Sequence, residues 1–141
     1  MTIQPQTAIT IGVLLLALVT VESGGYFLTR VVRGHVEANL LQRNFFRAGH
    51  AHAAVLLVLG MVILLVTDAV GFTEGWLAWL GRILVPIAAI LMPAGFFLSV
   101  IGRDPQKPSR LILLLWLGAF SLTTGLLISG IGVIVTAASA L

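Results

Sequence analysis

Apolar residues run in long blocks along the chain: Ala8 to Leu28, Ala51 to Val70, a stretch within Trp76 to Ile101, and Leu111 to Ala138. A helix crosses the bilayer hydrocarbon with about 20 such residues, so each block predicts a spanning helix. The blocks are continuous rather than alternating, which excludes a closed β-barrel. The expectation is an all-α integral membrane four-helix bundle, a single transmembrane domain over residues 1–141. Composition reinforces it, because 59% hydrophobic and only 9% charged residues cannot cover a soluble domain. The lipid bilayer is therefore the first partner expected. The first block differs from a signal peptide: Met1 to Thr7 has no charged side chain, the run is too long, and no A-x-A site follows.

Basic residues set the orientation. Arg30, Arg33, Arg43 and Arg47 lie in the first connection and Arg103, Lys107 and Arg110 in the third. The middle connection, Thr67 to Gly75, holds two acids and no basic residue. This asymmetry predicts connections one and three inside and both termini on the outer side of a bacterial cytoplasmic (inner) membrane. Arg82 is the exception. It follows the interfacial pair Trp76 and Trp79 and is expected to snorkel to headgroups, so the third span effectively begins near Ile83.

The third connection, Gly102-Arg-Asp-Pro-Gln-Lys-Pro-Ser109, reads as a turn between antiparallel helices. In the first, Val32, Val36 and Leu40 recur every four residues beside Leu41, Phe45 and Phe46, with arginines interleaved. That spacing predicts a short amphipathic helix on the inner leaflet. Gly118, Gly125, Gly132 and Ser139 repeat every seven residues. Such a small-residue seam admits a close helix, either within the bundle or from a homo-oligomer or partner membrane subunit. Pro86 and Pro93 free backbone carbonyls and are expected to kink the third helix.

Ionisable groups inside a span are costly and point to function. Glu22 lies roughly 12 Å up the first helix from Arg30, with Tyr26 between them at four-residue steps and Gly24 and Gly25 alongside. Functionally it is a proton carrier, ligand or substrate contact; structurally it is a buried carboxylate held by a neighbour. Glu22, Tyr26, Arg30 and Arg47 form a candidate proton relay. His50 and His52 follow Arg47 at the mouth of the second helix. On a regular helix they diverge by about 200°, so one faces the bundle and the other faces lipid or a partner. Either histidine with Glu22 makes an oxygen-and-nitrogen metal site, whereas a bland interfacial collar needs neither. His35, in the loop, is expected to be solvated. The chain has no cysteine, hence no thiolate ligand and no covalent haem attachment. It carries no nucleophile elbow, P-loop or H-E-x-x-H motif, and nothing that reads nucleic acid.

The segments Ser23-Gly-Gly-Tyr-Phe-Leu-Thr-Arg30 and Asn44-Phe-Phe-Arg-Ala-Gly-His50-Ala-His52 resemble the first two helices of haem-copper oxidase and nitric-oxide-reductase catalytic subunits. They also resemble small bacterial membrane proteins with H-x-H at a helix start. In the oxidases a histidine near the start of helix two binds a low-spin haem, in some branches within R-x-x-H-x-N. Arg47, His50 and His52 match that pattern except that His replaces Asn. The resemblance implies His50 as an axial ligand of a b-type haem, with His52 from a second subunit or a non-histidine partner opposite. It covers roughly a third of the chain, and with only three histidines a complete oxidase copper centre is excluded.

The reading preferred on these grounds is a small membrane protein binding haem or a transition metal ion at His50, His52 and Glu22, in redox or sensing. The alternatives are a subunit of an oligomeric proton-coupled transporter or channel, and an accessory subunit of a larger membrane complex. No reaction is assigned by the residues.

Overall fold

The computed structural model describes residues 3–141. It comprises α1 (Pro5–Val32), α2 (Leu40–Val70), α3 (Gly75–Leu98) and α4 (Leu113–Ala138), the last preceded by a short 3₁₀ turn, Arg110–Ile112. All four helices are long and apolar enough to cross a membrane, as in a multi-pass membrane protein. Their outward faces carry Ile9, Leu16, Ile90, Phe120 and Ile134, all exposed, which suits lipid rather than water.

The ends of the helices follow local chemistry. Pro5 opens α1, where its missing N–H is no loss. The α1 C-terminus closes on Gly34 (φ +76°). Gly34 N–H donates to Val31 O and His35 N–H to Arg30 O, a Schellman closure. α2 then opens on a reciprocal capping box. Asn39 Oδ1 accepts from Gln42 N–H at 2.9 Å and Gln42 Oε1 accepts from Asn39 N–H at 3.1 Å. Between stop and start, residues 33–39 contain no helix. The expected amphipathic loop helix is thus corrected: Gly34 ends the first helix, and Leu40, Leu41, Phe45 and Phe46 belong to the opening turns of α2.

Each helix packs chiefly on its sequence neighbour, and α3 against α4 is the tightest pairing. The central cluster is Leu14 from α1, Leu56, Leu57 and Leu64 from α2, and Ala89 and Met92 from α3. The heptad glycines of α4 are consumed inside this bundle. A methyl on Gly118 would stand 2.5 Å from Met92 Cγ, and one on Gly125 3.0 Å from Val85 Cγ2. α3 answers with its own small residues: a methyl on Gly81 would meet Ser129 Oγ at 2.7 Å, and one on Gly95 would meet Leu115 N at 2.3 Å. Two small-residue stripes therefore interlock in antiparallel register. Gly132 is covered by the Phe72 ring, so the three glycines of the seam close within the bundle, while Ser139 at its end is exposed.

α3 runs unbroken through Pro86 and Pro93, and both prolines are buried. Ser121 Oγ donates to Leu84 O at 2.8 Å, tying α4 to α3 through an interhelical hydrogen bond. At the basic end of the bundle, Gln42 Nε2 donates to Val100 O and Gly102 O, both at 3.1 Å. Asn39 Nδ2 donates to Asp104 Oδ1 at 2.8 Å and Pro105 O at 2.7 Å. One capping box thereby also clamps the α3–α4 connection.

Candidate functional site

The opening turns of α2 distribute their side chains between two neighbours. Phe46 meets Phe27 of α1 edge-on at 5.3 Å and stacks on Phe97 of α3 at 5.6 Å. Gly49 is buried, and a methyl there would strike Phe97 at 2.8 Å, so α3 approaches on that side. The next residue, His50, turns the other way. A methyl on Gly24 would stand 3.4 Å from His50 Nδ1, and one on Gly25 would stand 3.4 Å from Cε1 and 3.6 Å from Nε2. The imidazole edge rests on the glycine pair of α1, which is what the absence of two Cβ atoms permits.

His52 points to the opposite neighbour. Its ring lies 4.9 Å from that of Phe96 on α3, tilted by 38°. Its Nδ1 is 2.7 Å from Ala48 O. A carbonyl only accepts, so Nδ1 carries the proton and Nε2 remains as the free position. The divergence that helical geometry requires for an i, i+2 pair holds, but the expectation that one histidine faces lipid or a partner is corrected: His50 rests on α1 and His52 on α3, both half-buried within the bundle.

Glu22 is exposed on α1. It precedes Gly25 by three residues, hence about 60° around the helix and about 4.5 Å along it, on the flank beside the His50 edge. It lies roughly 15 Å from the end of α1 at Val32, well inside the span. Tyr26 and Arg30 continue the same outward stripe, and Tyr26 is 69% exposed. Arg47 is also exposed and His35 lies exposed in the first connection. Among the described residues neither Glu22, Tyr26 nor Arg47 makes a side-chain hydrogen bond to another member of the expected relay, and no three His, Asp or Glu side chains converge on a point that would hold a metal ion.

A second polar cluster occupies the other end of the bundle. Arg82 was expected among headgroups; instead its side chain is only 11% exposed and Nη2 lies 2.7 Å from Asp68 Oδ1, a carboxylate that is itself completely buried. The same nitrogen donates to the hydroxyl of Thr7, and the backbone N–H of Gln4 donates to Asp68 Oδ2 at 2.8 Å. The correction has a clear cause: an acid and a base on facing helices, joined by a tight turn, pair with each other where either alone would be left buried and uncompensated. The signal was present in the sequence. Asp68 closes one apolar run and Arg82 interrupts the next, with opposite charge across a short connection.

Comparisons with protein-family models, curated proteins and solved structures give no match to this chain.

Proposed function

We propose that the protein is an oligomeric multi-pass membrane protein that binds a transition metal ion at His50 and Glu22, in redox or sensing, with ligands from a neighbouring copy such as His52 completing the set. The supporting observation is Glu22 itself. A carboxylate on the outward flank of a spanning helix, without a hydrogen-bond or ion-pair partner among the described residues, lies about one turn along α1 from the glycine pair on which the His50 imidazole rests. An unpaired ionisable group at that depth is costly and needs a counter-group. A metal ion between His50 and Glu22 supplies one, with nitrogen and oxygen donors suited to zinc, iron or copper. His52 adds a second imidazole whose Nδ1 proton is fixed on a carbonyl, the outer-sphere arrangement of ligating histidines.

Haem fits the groove less well than an ion. The Nε2 edge of His50 lies against the α1 backbone, so a macrocycle requires α1 and α2 to part. Seven of the eight Lys and Arg residues lie toward one end of the bundle, which supports that end facing the cytoplasm of a bacterial inner membrane and the termini facing outward.

The test is elemental analysis of protein purified in detergent without chelators, before and after incubation with zinc, iron or copper salts. Bound metal that is lost in both His50→Ala and Glu22→Gln is expected. Metal-free wild type after reconstitution would sink the proposal. If the same preparation in liposomes then showed proton flux abolished by Glu22→Gln, the proton-coupled transporter reading would replace it.

A further inference from the structure

We propose that the cleft around Arg82, at the far end of the bundle from His50, is a binding site for a phosphate-bearing headgroup. It is a half-open cleft of about 270 Å³, bordered by Gln6, Thr7 and Thr10 of α1, Thr73 of the α2–α3 connection, and Trp79 and Arg82 of α3. Thr7 and Gly24 are some 26 Å apart along α1, so this site is separate from the His50 groove and stands or falls independently of it.

The charges are arranged asymmetrically. The Asp68 side chain is wholly buried: Oδ2 accepts from the Gln4 N–H, and Oδ1 faces Arg82 Nη2 at 2.7 Å as an ion contact without hydrogen-bond alignment. A ligand in the cleft therefore meets the guanidinium and not the carboxylate. Arg82 commits Nη2 to Asp68 and Thr7. Its Nε and Nη1 groups have no partner among the described residues, and Arg82 lines the cleft. Both bidentate edges of a guanidinium include Nη2, which is already engaged, so Nε and Nη1 each offer a single charge-assisted N–H to an anionic oxygen in the cleft. A guanidinium held in place by a buried ion pair also loses little freedom on binding.

The surrounding residues specify more than an anion. Thr10 donates its hydroxyl proton to Gln6 O at 2.9 Å, so its oxygen is left to accept from a ligand hydroxyl or ammonium. Trp79 forms one wall and remains 63% exposed, with Trp76 70% exposed beside the α3 start. Tryptophans at a helix end mark headgroup depth in a bilayer. A phosphodiester bearing a polar arm, as in a phospholipid headgroup, meets all three demands; a free phosphate ion meets the first alone.

Thermal unfolding of the protein in a non-ionic detergent, titrated with dihexanoyl phosphatidylglycerol below its micellar concentration, tests this. Inorganic phosphate at matched ionic strength and a short-chain maltoside serve as parallel titrants. The wild type is expected to gain stability at millimolar phospholipid and to be indifferent to the maltoside. Arg82→Lys keeps a charge for Asp68 but deletes the Nε and Nη1 donors, and is expected to weaken the apparent affinity about tenfold. A matching response to inorganic phosphate would identify the free anion as a sufficient source of the same chemistry. Should Arg82→Lys fail to fold, Thr10→Val with Trp79→Leu leaves the ion pair intact and is expected to weaken phospholipid binding. No stabilisation by either phosphate probe, an equal response to the maltoside, or undiminished affinity in whichever variant folds would overturn the proposal.

Discussion

Arg82 of α3 and Asp68 of α2 form a 2.7 Å ion pair in which the carboxylate side chain is completely buried. The pair bridges three helices, because Thr7 of α1 accepts from the same guanidinium nitrogen. It joins the N-terminal turn of α1, the last turn of α2 and the second turn of α3 where the apolar core is thinning. A buried pair is a poor source of net stability, but it is intolerant of losing one member.

Removing one partner alone is accordingly expected to be severe. Asp68→Ala strands a guanidinium and should cost roughly 3–5 kcal/mol, read as a fall in the thermal midpoint in detergent. Asp68→Asn combined with Arg82→Gln removes both charges and should be milder than Asp68→Ala. Equal damage from the double replacement would show that the pair is not what holds this end together.

The α3–α4 interface makes a second, sharper contrast. Gly95→Ala places a methyl 2.3 Å from the Leu115 backbone nitrogen, whereas Gly130 has nothing within 4 Å. Overpacking of a close-fitted interface costs about 1–3 kcal/mol, while alanine in an open helical position is neutral or slightly favourable. Thermal denaturation should therefore separate the two variants clearly. Indistinguishable midpoints would contradict the interlocked register.

The two histidines should also part company. His52→Phe preserves the aromatic stacking on Phe96 and gives up one bond to Ala48 O, a loss of about 1 kcal/mol. Gly25→Leu fills the seat of the His50 ring, so it should displace that imidazole and lower metal occupancy while helix content by circular dichroism is retained. Unchanged occupancy in Gly25→Leu would mean that His50 does not act from the α1 groove.

Gln42→Ala removes half of the capping box and both bonds to the α3–α4 connection, at Val100 O and Gly102 O. A cost of about 1–2 kcal/mol is expected. Its distinguishing mark is local: hydrogen exchange should accelerate across residues 99–110, far along the chain from the substitution. Exchange confined to residues 39–45 would show capping alone.

Hydrophobic continuity was enough to read four spans, since the cost of unpaired backbone in lipid leaves helices as the one form such runs adopt. The first connection is bounded by Gly34, which ends α1, and by the Asn39 and Gln42 spacing that opens α2, local signals that the four-residue recurrence of Val32, Val36 and Leu40 does not take in. Local capping chemistry decided the matter, because a helix cannot continue through a glycine at φ +76°.

What the chain determined by itself is the number and the apolar extent of its spanning helices and the presence of polar groups that a membrane tolerates only for a reason. Which groups meet was decided by packing. Periodicity fixes which residues share a face of one helix, but not which neighbour that face meets. Gly49 drew Phe96 and Phe97 to one side of α2 and Gly24 with Gly25 admitted His50 on the other. Glu22, whose stripe with Tyr26 and Arg30 is plain in the sequence, was left on the outside of the bundle. Arg82 went inward because Asp68 was there to receive it, a coincidence of two helices that neither helix encodes alone.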